Sequence, residues 1–284
     1  MQNKGFSTNK TLNVRGKLVD LSIPRIMGIL NVTPDSFFDG SRYTDSAQAL
    51  RQVEKMMNEG ATFIDIGGYS SRPGATDISV EEEVERTAPM VKLISKAFPE
   101  AIISIDTFRA VVARKAVEEG AAIINDISGG DLDADMFTTV ADLQVPYILM
   151  HMRGTPQTMK ELSHYDLMVK DLIDYFHQRV YRLQALGVKD IIIDPGFGFA
   201  KNTEQNFELL NHLEDLAVLG LPLLAGLSRK SMIWKTLNET AATALNGTTS
   251  LNTVALIKGA AILRVHDVKE AADTVKLIEK LKAK

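Results

Sequence analysis

The chain reads as an α/β protein of the closed parallel (β/α)8 TIM-barrel class, with a short N-terminal β-hairpin covering the barrel floor. Three observations predict it. First, apolar runs repeatedly turn polar at their ends. Ile191-Ile-Ile193 opens into Asp194-Pro-Gly-Phe-Gly-Phe199, and the same syntax recurs at Ile64-Asp65-Ile66-Gly67, Ile102 to Asp106, Ile123-Ile-Asn125-Asp126, Tyr147 to His151 and Ile262-Leu-Arg264-Val-His266. Strands that are apolar along their length and polar at the C-terminal end mark a parallel sheet whose site lies at that edge. Second, such runs begin near Arg25, Thr62, Ala101, Ala121, Val145, Asp190, Leu221 and Ala260, with mostly helical periodicity between them. About eight βα units with none left over is what closure of a barrel requires. Third, 284 residues at 45% hydrophobic content and near-zero mean hydropathy suffice for one large core. Residues 1–284 are therefore read as one domain, with 1–24 as an N-terminal extension and hairpin.

The elements follow in order. Leu12 to Leu21 alternates around Arg15-Gly16-Lys17 and predicts the hairpin. Helices are expected over Ser46 to Glu59, stopped by Gly60; over Val80 to Ala97, opened by the Asp77/Ser79 cap region and Glu81-Glu-Glu83; and over Phe108 to Glu119, stopped by Gly120. The connections from Asn31 to Asp45 and from Gly67 to Ser79 are longer than a barrel needs. Punctuated by glycine and proline, they read as lids or substrate clamps on the active face.

Composition excludes several classes. A net charge of -4 with scattered Lys and Arg argues against nucleic acid or an anionic membrane as partner. The absence of cysteine removes disulfides, thiolate nucleophiles, zinc-thiolate sites and iron–sulfur clusters. The N-terminal residues Met1 to Lys10 lack an apolar h-region, and no run approaches the roughly 18 apolar residues of a membrane span. The expectation is a soluble cytoplasmic protein.

The polar strand ends carry the chemistry. Asp106, Asn125 and Asp194 come from different predicted strands and converge on the barrel mouth. Acceptors gathered in a dry pocket suit a flat, donor-rich heterocycle, because a carboxylate takes parallel N–H bonds from an amidine-like edge as it does from arginine. The plainer alternative is that each acid caps a helix or pairs with a lysine. Lys230, in Ser228-Arg-Lys-Ser231, follows the seventh apolar run and could meet a ring carbonyl or carboxylate. Arg264 and His266 flank Val265, so they face one side of their strand and suit a phosphate or diphosphate, with Arg72 as a third candidate. The alternative for Arg264 is a salt bridge to a nearby acid. Asn31, closing the first strand, could lend one oxygen to a Mg²⁺ that arrives with a diphosphate. His151, His164, His177 and His212 show no shared ligand spacing.

Read together, Asn31-Val-Thr-Pro-Asp-Ser-Phe-Phe-Asp-Gly40, Asp65-Ile-Gly-Gly68 with Ser71-Arg-Pro-Gly74, Asp106-Thr107, Asn125-Asp126, Leu149 to Gln157, Asp194 to Phe199, Ser228 to Ser231 and Arg264-Val-His266 resemble the dihydropteroate synthase family, in order over nearly the whole chain. The resemblance implies condensation of 6-hydroxymethyl-7,8-dihydropterin diphosphate with 4-aminobenzoate, with loss of diphosphate, in folate biosynthesis. It implies a pterin pocket of Asp106, Asn125, Met150, Asp194, Lys230 and Arg264. Diphosphate would lie near Asn31, Ser71, Arg72, Arg264 and His266, with Mg²⁺ on Asn31. The 4-aminobenzoate would meet Phe37, Ser71, Pro73, Phe199, Lys230 and Ser231. Asp39, Arg72, Asp106, Lys230 and Arg264 would serve catalysis. It also implies a homodimer through the last helices, from about Leu251 onward, and a sulfonamide target.

Three departures from the family pattern are visible: Tyr69 for a glutamate, Ser71 for a threonine, and Ala200 for a glycine. None removes a group the chemistry needs. A corrinoid-dependent pterin-binding methyltransferase would share the barrel but leave Ser71, Arg72 and the Arg264/His266 pair without purpose. A non-catalytic pterin-binding paralogue would have no use for Asn31, Arg72, Asp106, Lys230, Arg264 and His266 together.

Overall fold

The computed structural model describes residues 9–32, 42–70 and 77–282. Two antiparallel strands, β1 (Thr11–Val14) and β2 (Lys17–Asp20), form the hairpin. The barrel strands are β3 (Arg25–Asn31), β4 (Phe63–Gly67), β5 (Ile102–Asp106), β6 (Ile123–Asp126), β7 (Tyr147–Met150), β8 (Ile191–Asp194), β9 (Leu224–Ala225) and β10 (Ile262–Val265). Between and after them run α1 (Arg42–Asn58), α2 (Val80–Ala97), α3 (Ala110–Glu119), α4 (Met136–Leu143), α5 (Met168–Ala185), α6 (Thr203–Asn211), α7 (Ser231–Thr236), α8 (Leu245–Ile257) and α9 (Val268–Lys282). All barrel pairings are parallel, in the order β8-β7-β6-β5-β4-β3-β10-β9. A bridge between Ile193 and Leu223 closes the seam, with the Ile193 N–H donating to the Pro222 carbonyl at 2.9 Å.

Alternation fixes what each strand sends inward. Met27, Phe63, Ile123, Ile148, Ile192, Leu224 and Ile262 form one buried cluster at the lower end of the barrel, and Leu12, Val14 and Leu21 from the hairpin segment belong to it. The hairpin thus plugs the floor. Its turn, Arg15-Gly16, has both φ angles positive, 51° and 78°, the twist a two-residue hairpin needs. Two residues further up each strand, the same inward face changes character to Asp65, Ser104, Asn125, Met150, Asp194 and Arg264. A polar layer therefore sits directly on an apolar one. Outward-facing residues such as Ile64, Ile66, Ile103, Ile105 and Leu263 pack under the helices in a second, larger cluster.

Helix ends differ from expectation at two places. α1 begins at Arg42, a turn ahead of the expected Ser46, because a Thr-Asp-Ser run that reads as a cap is also compatible with helical backbone. α3 begins at Ala110 rather than Phe108. Arg109 is extended (φ -112°, ψ 119°) because its guanidinium pairs with the buried Glu83 at 2.9 Å, and the Ala110 N–H is capped by the Asp133 carboxylate at 2.7 Å. α2 matches its expected span, with Ser79 accepting from the Glu82 N–H at 3.1 Å. No helix among the described residues is long and apolar enough to cross a membrane.

Candidate active site

The polar layer is tied together by Arg264. From β10 its Nε donates to Asp65 at 2.6 Å and its Nη2 to Asp106 at 2.6 Å. Asp65 also accepts from the Asn125 amide at 3.0 Å, and its other oxygen is buried with no partner among the described residues. Register explains the meeting. Asp106 pairs with Asn125 on one side and Gly67 on the other, one layer above Asp65. Two carboxylates fix the guanidinium edge-on, which leaves its faces available for stacking. The salt bridge expected as the plainer reading of Arg264 is thus present, and it lies inside the mouth.

Burial among other acids raises Asp106 to about 7, with Arg264 pulling the other way. Burial opposes the charge of Arg264, yet Asp65 and Asp106 hold it above its ordinary value.

Across the mouth, Asp194 closes β8, next to Met150 in register. Its Oδ1 accepts from the Gly196 N–H at 2.8 Å. Burial raises its pKa, and Lys230 lowers it. Lys230 precedes α7 and is drawn down to about 8 by burial, against the pull of Asp194. Its ammonium donates to the Phe197 carbonyl and lies 4.7 Å from the centroid of the Phe199 ring. A Cβ on Gly226 would stand 3.8 Å from both the Asp194 Oδ2 and the Lys230 Nζ. Glycine there keeps open the space the two charges share.

The Ser228 to Ser231 segment divides its labour. Ser228 bonds the His266 Nδ1 at 2.9 Å, setting that exposed ring at the rim. Arg229 turns away, forks onto Asp267 at 2.9 and 2.8 Å, and bonds the Ala241 and Ala242 carbonyls. Ser231 is the first residue of α7 and is half-buried. Asp126, next to Asn125, is taken up by Tyr147, Ser128 and Gly130 and shapes the loop.

Asn31 ends β3. The space above Gly67 lies 3.8 Å from the Asn31 Oδ1 and 3.7 Å from the Asp106 Oδ2, so Asn31 flanks the same mouth. No group of three or more His, Asp or Glu side chains among the described residues is placed to hold a metal. The exposed Asn31 oxygen therefore fits only a cation that takes most of its ligands from elsewhere, as Mg²⁺ does with phosphate oxygens and water. Phe37, Asp39, Ser71, Arg72 and Pro73 lie outside the described residues.

Sequence reasoning gave Asp65 no role in the site. Asp65 was detectable: it stands two residues after Phe63 in an apolar strand, on the inward face. The departures also find places. Tyr69 meets Phe108 edge-on at 5.0 Å and accepts from the Gln157 amide at 3.1 Å. Ala200 has φ of 48°, which is why glycine suits that position; alanine there costs roughly 1–2 kcal/mol.

A parallel barrel whose mouth holds carboxylates, a pinned arginine and a half-buried lysine defines a barrel enzyme with its site at the strand ends. Residues 27–266 match the family described as pterin binding enzyme. Dihydropteroate synthase of Escherichia coli (strain K12) is 43% identical over 94% of this chain and 95% of its own length. The Yersinia pestis dihydropteroate synthase, solved with a sulfonamide drug complex, superposes with a TM-score of 0.90 at 40% identity, covering 96% of this chain and 100% of that one. The Xanthomonas albilineans enzyme with 4-aminobenzoic acid gives 0.90 at 38%, covering 98% and 100%. The chain belongs to the dihydropteroate synthases, transferases of folate biosynthesis.

Proposed function

We propose that this chain condenses 6-hydroxymethyl-7,8-dihydropterin diphosphate with 4-aminobenzoate, giving 7,8-dihydropteroate and diphosphate. The observation that carries the reading is the cluster in which Arg264 is held by Asp65 and Asp106 beside Asn125, facing Asp194 and Lys230. Asp106, Asn125 and Asp194 accept from the N–H edge of the pterin, Met150 supports it, and Lys230 donates to O4 and N5. Arg264 stacks on the ring while reaching the diphosphate.

The diphosphate departs from a carbon next to an electron-rich ring, leaving a pterin cation that the weakly basic arylamine attacks at carbon. The amine proton then passes to solvent or diphosphate, so no strong base is required. Asp65 and Asp194 face the ring beside Asp106, whose carboxyl, raised to about 7, is drawn to its ionised form by a neighbouring cation. Fixed negative charge in a dry site stabilises a developing cation without reorganisation. Asn31 Oδ1 would lend one ligand to Mg²⁺, which would supply charge neutralisation for the departing diphosphate. His266, Ser71 and Arg72 take phosphate oxygens. The 4-aminobenzoate ring packs on Phe199, with Ser231 and Lys230 near its carboxylate, and Phe37, Asp39, Ser71 and Pro73 complete that side.

The chain acts as one domain, assembles as a homodimer through α8 and α9, and works in the cytoplasm, a setting that fits a chain without cysteines. The decisive assay supplies the pterin diphosphate, Mg²⁺ and 4-aminobenzoate. Dihydropteroate and diphosphate appearing in equal amounts is the expected result; hydrolysis of the diphosphate without the arylamine product would refute the reading.

A further inference from the structure

Lys201 is 8% exposed, yet nothing in the proposed reaction uses it. It follows the glycine-rich turn after β8 and points back beneath it. Its Nζ donates to the Gly196 carbonyl at 3.1 Å, to the Phe199 carbonyl at 3.1 Å and to His151 Nδ1 at 3.0 Å. An ammonium has three N–H donors and no acceptor, so all three are used. While Lys201 is an ammonium, a state burial limits to pH below about 7, His151 offers a lone pair at Nδ1 and carries its proton on Nε2. Burial and the adjacent ammonium, which hold this 1% exposed histidine well below its ordinary pKa, agree with that neutral form.

The turn itself is costly to hold. Gly196, Gly198 and Ala200 all have left-handed backbone, with φ of 72°, 79° and 48°, and alternating handedness points successive carbonyls in different directions. Lys201 gathers two of these carbonyls from behind, and Lys230 binds a third, that of Phe197, from the front. The buried Asn206 secures the remaining strand of the turn by accepting from the Gly198 N–H at 2.6 Å. Asp194 makes no hydrogen bond to Lys201: β8 and the Gly196 N–H hold it, and the Lys201 charge, a minor influence behind Lys230, favours its ionised form. Phe199 does depend on it, because its carbonyl is bonded directly.

We propose that Lys201 is a positioning residue that fixes the Phe199 ring as the platform for the arylamine substrate, through the Gly196 and Phe199 carbonyls and His151. This rests on the reading that 4-aminobenzoate packs on Phe199. The test compares folded Lys201→Met and Phe199→Ala in steady-state kinetics and in calorimetric binding of the pterin diphosphate alone. Lys201→Met should raise the KM for 4-aminobenzoate at least about tenfold while changing pterin affinity less than about threefold. A purely structural role would lower the melting temperature without separating the two substrates. If Phe199→Ala leaves that KM unchanged, the arylamine assignment fails. If Phe199→Ala raises it and Lys201→Met does not, or if Lys201→Met weakens both substrates alike, the positioning role fails. Should Lys201→Met not fold, His151→Phe, which removes one of the three acceptors, is scored in the same way; a rise of about threefold in that KM supports the role, and no rise overturns it.

Discussion

Arg264 shows how single residues make this mouth selective. Lysine could supply its charge, but only a planar fork can be held edge-on by Asp65 and Asp106 at 2.6 Å each and still offer a face to a flat ring. Arg264→Lys is therefore expected to cut turnover severely, and normal kcat in that variant would contradict the stacking role. Asp194→Ala removes a buried acceptor that faces an ammonium, which should weaken pterin binding by about 2–5 kcal/mol, read by calorimetry. Lys230 adds a pH dependence. Its folded pKa lies near 8, below the ordinary lysine value, so the ammonium is fully present at lower pH. Pterin affinity should be greatest between about pH 7 and 8, falling below that window as Asp106 takes up a proton and above it as Lys230 loses one. A flat affinity profile to pH 10 would show that the charge of Lys230 does not matter. At this scale the sequence was most legible where a polar residue ends a strand, as at Asp106, Asn125 and Asp194. It was least legible where the partner lies far along the chain, as for Lys201 with His151. Spacing carries no signal for a contact made by the closing of β7 onto β8.

Each βα unit carries the site as far as its strand end, and the loops finish it. The turn after β8 shows the strain such finishing involves. A Cβ on Gly196 would press into the His151 carbonyl oxygen, and its φ of 72° is left-handed. Gly196→Ala should then destabilise the fold by more than about 2 kcal/mol and displace Asp194, lowering pterin affinity. Denaturant unfolding and calorimetry read the two effects, and wild-type values in both would discard the close-approach argument. The strands and most helices were legible because period-2 and period-3.6 patterns are set by burial, which the barrel imposes uniformly. Elements shaped by tertiary partners were not. α3 starts late because Arg109 and Asp133 claim its first turn, and β9 shrinks to Leu224–Ala225 although Leu221 to Leu227 is apolar throughout. There the chain passes Asp194 and Lys230, and Gly226 needs space more than pairing.

At the scale of the whole molecule, the two ends of the barrel are opposite solutions to one problem. The floor is sealed by Leu12, Val14 and Leu21, so water is kept from the polar layer from below, while the upper end stays open to substrates. Truncating Leu12, which is fully buried, should cost about 2–5 kcal/mol of stability. The outer surface carries a second consequence. Ile257 at the end of α8 and Leu277 and Leu281 on α9 are 61%, 69% and 72% exposed, and the two helices pack side by side. Large aliphatic side chains gathered on neighbouring helices stabilise association more readily than solvation. A two-fold contact places the same surface on both sides, so one charge is introduced twice at the seam. The proposed homodimer therefore predicts that the wild-type chain sediments as a dimer and Leu277→Glu combined with Leu281→Glu as a monomer in sedimentation velocity. Because the barrel mouth lies at the strand ends, away from these side chains, pterin affinity in the variant should stay within about threefold of wild type. A variant that remains dimeric places the interface elsewhere.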